Sequence, residues 1–436
     1  MIYNNIEKYI CLNLKRVLGM RWVCVLSICI LLMTSVVSAI NNPSAAYCEK
    51  MGYEYKVKET PLGEDGICVA NGIEFNAWDF LNGKVGKEYS YCAKHGYDVE
   101  TVRENKNGYP LEYAVCVRKE SGNKTSNINS NIANTLQNSQ NSRKIMVDLM
   151  KLNGDGLLDK YSYDLQLNIK KAPGVQVMST ETTLPSSFDW RNVNGSNWMT
   201  PVKNQRSCGS CWAFAAASVA EARLNIDLNN PNADYDLSEQ QLVSCSGAGS
   251  CRGGDPMGAL AYAKSSGLVR ESYFPYVAMD IPCSLGSGWE SNAIKISGDP
   301  VETGFCVDDW MLGPSNCNES QRIAARNSYK RIIMNMGPSV AIIDAYDITG
   351  FESYRGLLHA VTIVGWNDSG GYWIIKNSWG TSWGDGGYYR LPYNSSLYGI
   401  IFIQPPTHDV PEFDWLGVLL VLAGGLAVLF WRGRAR

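Results

Sequence analysis

The chain has 436 residues, which is enough for roughly two to three domains. Hydrophobic residues make up 45% of it and charged residues 19%, a balance typical of globular proteins. The net charge of −3 is that of an ordinary solvated surface and gives no reason to expect a nucleic acid as partner. Function must therefore be inferred from terminal segments, cysteines and motifs.

The segment 1–39 is predicted to be a signal peptide or an N-terminal membrane segment. An apolar run, Trp22–Val37, follows three basic residues and leads to a small-residue site suited to cleavage after Ala39. Met20, taken as the start, would give a basic region of normal length before this run. Cleavage is the favoured interpretation, and an uncleaved membrane anchor is the alternative.

The segment 40–120 is predicted to form two small cysteine-bearing repeats. Tyr47–Tyr53 and Tyr91–Tyr97 share the pattern Tyr-Cys-x-Lys-x-Gly-Tyr, and one further cysteine follows each copy. Units this small bury too little apolar surface to fold without a staple, so each is expected to hold its own disulfide. Through Asn42–Ser44 and Trp78–Gly83, the first copy resembles the small domain of putative haemolysins, a likeness that implies no chemistry. The expected pairs are Cys48 with Cys68 and Cys92 with Cys116.

Residues 121–183 are predicted to be a linker that includes a candidate pro-segment. The stretch 121–142 is rich in Asn, Ser and Gln and poor in apolar side chains, as flexible linkers are. Asn153–Asp159 resembles a calcium loop, but Lys151 stands where the first carboxylate ligand should be, and no glutamate closes the loop at Ser162. A plain turn is therefore favoured, and no metal or cofactor is expected.

Fully globular composition extends from residue 184 to residue 404. The alanine-rich stretch Cys211–Leu224 predicts a helix. Ala360–Trp366 and Tyr372–Lys376 alternate or run apolar and β-branched, as strands do. Because the helical segment precedes the strands, this order predicts an α+β enzyme with a cleft between two lobes.

Residues 405–436 are predicted to be a transmembrane or sorting segment. Trp415–Trp431 carries no charge, and its length of about 25 Å as a helix is near the lower limit for crossing a bilayer. The arginines after it would stay on the cytoplasmic side. With Pro411–Phe413 before the helix, this end resembles the tripartite sorting signals of archaeal surface proteins, which implies replacement of the helix by a lipid anchor. A buried core helix is the alternative.

Cysteine usage indicates an oxidising compartment. Of the 14 cysteines, eleven lie between Cys48 and Cys317, so one free nucleophile would leave ten that can pair. An even set beside one reactive thiol suits the outside of a cell. Together with the two terminal segments, this predicts an exported protein that is anchored in the membrane at the cell surface, with the 184–404 domain outside.

The sequence around Cys211 carries a nucleophile signature. Gln205–Trp212 reads Gln-Arg-Ser-Cys-Gly-Ser-Cys-Trp, which is similar to the signature of the papain and cathepsin family of cysteine proteases. This resemblance implies a papain-like two-lobed fold, with a helical left lobe and a β-barrel-like right lobe, and peptide-bond hydrolysis through a thioester. Further motifs in family order are Phe188–Arg191, Pro201–Gln205, Leu237–Leu242, Cys251–Gly254, His359–Val361 and Lys376–Gly380.

Cys211, His359 and Asn377 form the predicted catalytic set. A thiol with a pKa of about 8.5 needs activation at neutral pH, and the N-terminal dipole of the predicted helix favours a thiolate at Cys211. His359 lies 148 residues further on and is the only histidine of the 184–404 domain, so we expect it to pair with Cys211 as an imidazolium. Asn377 is expected to accept the other ring N–H and hold the tautomer.

The resemblance assigns two supporting residues and a substrate track. The Gln205 side chain and the Cys211 N–H would form the oxyanion hole, and Trp379 would shield the histidine from water. The substrate would lie along Gly253 and Gly254, because glycine lets another backbone approach closely.

The resemblance also implies a specificity pocket and two disulfides. Met257, Ile342 and Leu357 would line the pocket for the side chain two positions before the cut and favour a hydrophobic residue there, with ordinary core packing as their alternative role. The family's bridge near residues 356 and 401 is missing on both sides, and no stretch resembles the family's inhibitory pro-segment. The implied disulfides are Cys208–Cys251 and Cys245–Cys283, and a local Cys306–Cys317 pair in an insertion stays open.

Two other functions stay open at this point. One is a catalytically inactive homologue that acts as a cell-surface binding module, which the intact Gln205, Cys211, His359 and Asn377 argue against. The other is a transpeptidase that passes the acyl group to an amine. The expected partners are protein or peptide substrates and, through the C-terminal segment, a membrane.

Overall fold

The structure is a computed structural model that describes residues 40–106, 109–118, 184–233, 235–303, 317–350 and 354–406. The predicted signal segment, the 121–183 linker with its calcium-like loop, and the predicted C-terminal helix lie outside these residues. Within the described ranges, no helix is both long enough and apolar enough to cross a membrane.

The first repeat is a small unit of helix and sheet stapled by one disulfide. Helix α1 (Pro43–Lys50) begins after Asn42, whose side chain accepts a hydrogen bond from the Ser44 N–H. The Cys48–Cys68 bridge ties α1 to the middle strand of an antiparallel sheet. We call residues 40–84 the N-terminal module. Its further elements are β1 (Glu54–Thr60), β2 (Gly63–Ala70), β3 (Ile73–Asn76) and α2 (Ala77–Leu81).

The second repeat is a short helix followed by a hairpin. Helix α3 (Tyr91–Lys94) precedes the antiparallel strands β4 (Tyr97–Lys106) and β5 (Tyr109–Arg118). The Cys92–Cys116 bridge ties α3 to β5. Each repeat thus pairs its own cysteines, as the repeated pattern predicts.

The first lobe of the 184–404 domain is built around helix α4 (Cys211–Asp227). This helix extends past the predicted end, and its residues from Cys211 to Asn225 are all buried. Because many of its side chains are alanine, neighbouring elements can pack closely on several sides. The remaining elements of this lobe are α5 (Glu239–Cys245), β7 (Gly249–Ser250), β8 (Gly253–Gly254) and α6 (Pro256–Ser265).

The second lobe is built on an antiparallel sheet of seven strands. These are β6 (Ser187–Asp189), β9 (Asp299–Thr303), β10 (Ser339–Asp344), β11 (Leu358–Asn367), β12 (Tyr372–Lys376), β13 (Tyr388–Pro392) and β14 (Leu397–Gln404), accompanied by α7 (Glu319–Met336) and α8 (Tyr346–Thr349). The strand order is β13-β12-β11-β10-β14-β9, and β6 pairs with β11. Central β11 and β10 are almost wholly buried, so their positions are fixed from both faces.

The two lobes meet along α4. One buried cluster joins Trp212 and Leu260 of the helical lobe to Ile342, Ala360 and Ile401 of the sheet. The α+β architecture with two lobes that the sequence predicts is confirmed. The N-terminus of α4 and the first residues of β11 lie at this junction, which places the predicted site there.

Candidate active site

Cys211 is the first residue of α4, and the loop before it is firmly held. The Gly209 N–H donates to the Cys251 carbonyl at 2.7 Å, next to the Cys208–Cys251 disulfide. Ser210 gives the helix no side-chain cap, because its hydroxyl instead lies 2.6 Å from that of Tyr276. No side-chain cap therefore competes with the Cys211 thiol for the positive N-terminal end of the helix dipole.

His359 and Asn377 form a short, oriented hydrogen bond. His359 Nε2 lies 2.7 Å from Asn377 Oδ1, and the Ser378 N–H donates to the same oxygen at 2.8 Å. Because that second donor fixes which amide atom is the oxygen, Nε2 must carry the histidine proton. Nδ1 is then the basic nitrogen of the neutral ring, and it is buried without a hydrogen-bond partner among the described residues.

The thiol and the histidine are brought together by strand β11. His359 stands opposite Ile343 in the β10–β11 pair, and the next residue, Ala360, donates its N–H to the Cys211 sulfur at 3.4 Å. Trp379 is fully buried, and its ring centroid lies 4.7 Å from that of His359. The structure therefore places the thiol, the imidazole and the shielding indole in one buried site.

Burial governs the charge on Cys211 and His359 in this state. Burial raises the pKa of the Cys211 thiol to about 12 and lowers the pKa of His359 to about 4, the latter against its hydrogen bond to Asn377. Burial by itself thus favours the neutral form of each group and acts against the thiolate–imidazolium pair expected from the helix dipole. Proton transfer from one to the other creates opposite charges together, and their attraction offsets part of the cost of burial.

Gln205 is buried, and both ends of its side-chain amide are engaged. Its Oε1 accepts from the Ser378 hydroxyl at 2.7 Å. Its Nε2 donates to the Cys208 carbonyl and to the Ile40 carbonyl, each at 2.8 Å. The donor predicted for the oxyanion hole is thus occupied by a residue from the N-terminal module, a contact that sequence reasoning missed.

A buried ion network beneath the site was also missed. Lys203 Nζ lies 2.9 Å from Glu239 and 3.6 Å from Glu221. Burial opposes the charge on Lys203, but the neighbouring carboxylates raise its pKa well above the usual value. Lys376 donates to the Thr200 hydroxyl at 3.1 Å, and burial lowers its pKa to about 8. Lys203 lies two residues before Gln205, and Lys376 directly precedes Asn377, so these contacts hold the segments that carry both site residues. The one sign of this network in the sequence was Lys376, a charged residue at the end of an apolar strand.

Gly253 and Gly254 are both buried, and Gly254 lies against Trp212. A Cβ at Gly254 would lie 2.4 Å from the Trp212 indole, and Gly253 has a φ of +130°, which side chains rarely adopt. Packing therefore requires glycine at position 254, and the backbone conformation favours it at position 253, in addition to the close substrate approach expected of both.

The predicted specificity residues flank the lobe junction, with a carboxylate that the sequence did not reveal. Ile342 of β10 is buried, while Met257 and Leu357 are half-buried. Ile342 pairs with Gly399, and a Cβ at Gly399 would lie 3.0 Å from Glu302 Oε1, so this carboxylate lies on the same face of the sheet. Burial and the nearby Asp255 raise the pKa of Glu302. A pocket of these residues would have apolar walls and one acidic group.

The disulfides implied by the resemblance are present. Cys208 is bonded to Cys251 and Cys245 to Cys283. Cys317 is also disulfide-bonded, while Cys306 lies outside the described residues. Among the described residues, Cys211 is the free cysteine.

A two-lobed α+β fold with this thiol and imidazole at the lobe junction defines a papain-like cysteine peptidase. A family model described as papain family cysteine protease matches residues 184–401, and the chain belongs to that family. A second model, a domain of unknown function (DUF333), matches residues 39–84, which is the N-terminal module within one residue at its start.

The chain is also similar to individual proteins. The chain is 36% identical over 224 residues to cysteine proteinase 3 of Entamoeba histolytica, covering 49% of this chain and 64% of that protein. It is 32% identical over 229 residues to cathepsin Z of Onchocerca volvulus, covering 48% and 70%. It thus spans 64% and 70% of the length of these two relatives. The structure of digestive procathepsin L2 from the Tenebrio molitor larval midgut is 29% identical, with a TM-score of 0.42 over 52% of this chain and 69% of that one.

Proposed function

We propose that this chain hydrolyses peptide bonds, with Cys211 as nucleophile, His359 as proton acceptor and donor, and Asn377 as the residue that orients the histidine. The observation that carries this proposal is the 2.7 Å contact between His359 Nε2 and Asn377 Oδ1, beside a free thiol at a helix N-terminus. That contact leaves Nδ1 as the basic nitrogen, so it is the atom that can take the thiol proton.

The reaction would proceed by acyl transfer to sulfur. The Cys211 proton passes to His359 Nδ1, and the sulfur attacks the carbonyl carbon of the substrate. Gln205 Nε2 and the Cys211 N–H would stabilise the resulting oxyanion, and losing one such donor typically costs about 3 kcal/mol of the barrier. His359 then gives its proton to the leaving amine, and a water molecule, deprotonated by His359, hydrolyses the thioester.

A peptide library tests this function in the full chain. We expect products with new amino and carboxyl termini from the wild-type protein and none from Cys211→Ala. Sequencing the products would reveal the preferred residues around the cut, and new amide bonds between library peptides would indicate a transpeptidase instead. Equal cleavage by Cys211→Ala would contradict the assignment of the nucleophile.

We also propose that the protein acts outside the cell and is tethered by its C-terminal end. The apolar segment Trp415–Trp431, the run before Ala39 and the disulfides support this location. Deletion of residues 411–436 should release active protein into the medium. If the truncated chain stayed with the membrane fraction, the N-terminal apolar run would be the anchor.

A further inference from the structure

The N-terminal module is joined to the peptidase domain by backbone hydrogen bonds. The Glu64 N–H donates to the Val202 carbonyl at 2.7 Å, and the Thr381 N–H donates to the Glu64 carbonyl at 2.8 Å. The Asn204 N–H donates to the Glu64 side chain at 2.7 Å. Gly63 lies so close that a Cβ there would be 2.1 Å from the Val202 oxygen. The N-terminal module and the peptidase domain are therefore in direct, close contact.

Two buried side chains of the module hold the indole that covers His359. Asn42 is fully buried, with its backbone N–H 3.0 Å from the Arg206 carbonyl and its side-chain amide 3.3 Å from the Trp379 carbonyl. Trp78 Nε1 donates to the same carbonyl at 3.1 Å, and the two indole centroids lie 5.8 Å apart. The module therefore covers the site on its Trp379 side.

The first described residue of the module reaches into the site itself. Ile40 is only 6% exposed and belongs to the buried cluster that contains Trp78 and Trp379. Its carbonyl oxygen accepts from Gln205 Nε2 at 2.8 Å. A substrate carbonyl in the oxyanion hole needs that same N–H, so Ile40 and a substrate exclude each other there.

We propose that the N-terminal module is a built-in inhibitor of the peptidase, which places the Ile40 carbonyl on the oxyanion-hole donor and covers the cleft at Trp379. This assigns a function to the segment that matches a domain of unknown function. The inference rests on the proposed peptidase activity, because it names the regulation of that same site.

Ile40 occupies the oxyanion-hole donor, but it is not positioned for cleavage as a substrate would be. Among the described residues, its carbonyl receives no hydrogen bond from the Cys211 N–H, which is the second expected donor. With only one donor engaged, the carbonyl lacks half of the stabilisation that acyl transfer requires.

A wedge at the interface tests the inhibitor role in the full chain. Gly63→Ala places a methyl group against the Val202 carbonyl, whereas Gly72→Ala is the matched control, since Gly72 also has a positive φ but nothing within 4 Å of an added Cβ. Both variants strain the same small sheet, but only the first meets the peptidase domain. Hydrogen exchange of residues 200–206 reports whether the module has separated.

We expect Gly63→Ala to speed hydrogen exchange at 200–206 and to raise both iodoacetamide labelling of Cys211 and peptide hydrolysis by about tenfold or more, because both rates scale with the fraction of uncovered molecules. Gly72→Ala should match the wild type in all three. Unchanged exchange in Gly63→Ala would contradict the docked arrangement. Faster exchange with unchanged labelling and hydrolysis would contradict the inhibition.

Two further outcomes separate this inference from the peptidase assignment. Faster labelling without hydrolysis of any library peptide would uphold the covering role and overturn the proposed function. Cleavage between Ile40 and Asn41 in the wild type but not in Cys211→Ala, detected by mass spectrometry, would show that the segment is a substrate and would overturn the inhibitor role.

Discussion

Replacing Asn377 tests whether a single hydrogen bond organises the site. Asn377→Ala removes the acceptor 2.7 Å from His359 Nε2 and the acceptor of the Ser378 N–H, and both donors are then buried without a partner. An unsatisfied buried group costs about 1–3 kcal/mol. Since His359 is only 1% exposed, water cannot replace the lost partner easily. We therefore expect kcat/KM to fall by about 10- to 100-fold, mainly in kcat.

Asn377→Asp is the matched control, because a carboxylate keeps the acceptor. The lost amide nitrogen costs nothing, since Asn377 Nδ2 is buried without a hydrogen-bond partner among the described residues. The added negative charge favours the imidazolium and raises the pKa of His359, so the alkaline limb of the pH–rate profile should move upward. Initial rates with one fluorogenic peptide, measured from pH 5 to 9, provide the comparison. An alanine variant within about twofold of the wild type, or an aspartate variant as impaired as alanine, would refute the role of Asn377.

Three more predictions follow from the buried charges and the disulfide of the module. Glu302→Gln should lower the ratio of kcat/KM for peptides with Lys or Arg to that for peptides with Leu, two positions before the cut, by about tenfold. The reason is that a hydrogen bond to a charged group is worth about 1.5 kcal/mol. The same ratio in the wild type and the variant would exclude Glu302 from the pocket. The pKa of Lys376 is lowered from 10.5 to about 8, so the unfolded chain binds more protons above pH 8. In denaturant unfolding, the free energy of unfolding of the wild type should therefore rise by about 2 kcal/mol relative to that of Lys376→Met between pH 8 and 10. The same pH dependence in both proteins would contradict this. The double variant Cys48→Ala/Cys68→Ala removes the disulfide that closes a loop with a sequence separation of 20, so the module should lose about 3 kcal/mol of stability. A destabilised module should uncover Cys211 more often and speed its labelling by iodoacetamide. Slower labelling would count against the inhibitor role.

The site residues were predicted from local motifs, and the structure brings them together. Cys211 and Gln205 lie in one short signature, so their placement follows from a loop and a helix N-terminus that neighbouring residues determine. His359 and Asn377 stand at the ends of paired strands whose apolar pattern is evident in the sequence. Their mutual contact follows once those two strands pair.

Contacts between distant segments could not be predicted in this way. Ile40 and Gln205 are 165 residues apart, and nothing near Ile40 indicates that its carbonyl lies in the site. The pocket was expected to be apolar because the three residues predicted to line it are apolar. Glu302 comes from an edge strand, and only the register that pairs Ile342 with Gly399 brings it close. The helix dipole at Cys211 could be predicted from the sequence, but the burial that opposes the charge on Cys211 and His359 could not.

Alkylation of the full, oxidised chain is the most direct test of the central claim that Cys211 is the nucleophile. The protein is treated with iodoacetamide in the absence of reductant, and samples are taken over time for peptide mapping and for peptide hydrolysis. We predict one adduct between Cys48 and Cys317, at Cys211, and a loss of hydrolysis in proportion to its yield. Full hydrolytic activity after complete modification of Cys211, or labelling elsewhere in that range but not at Cys211, would contradict the account.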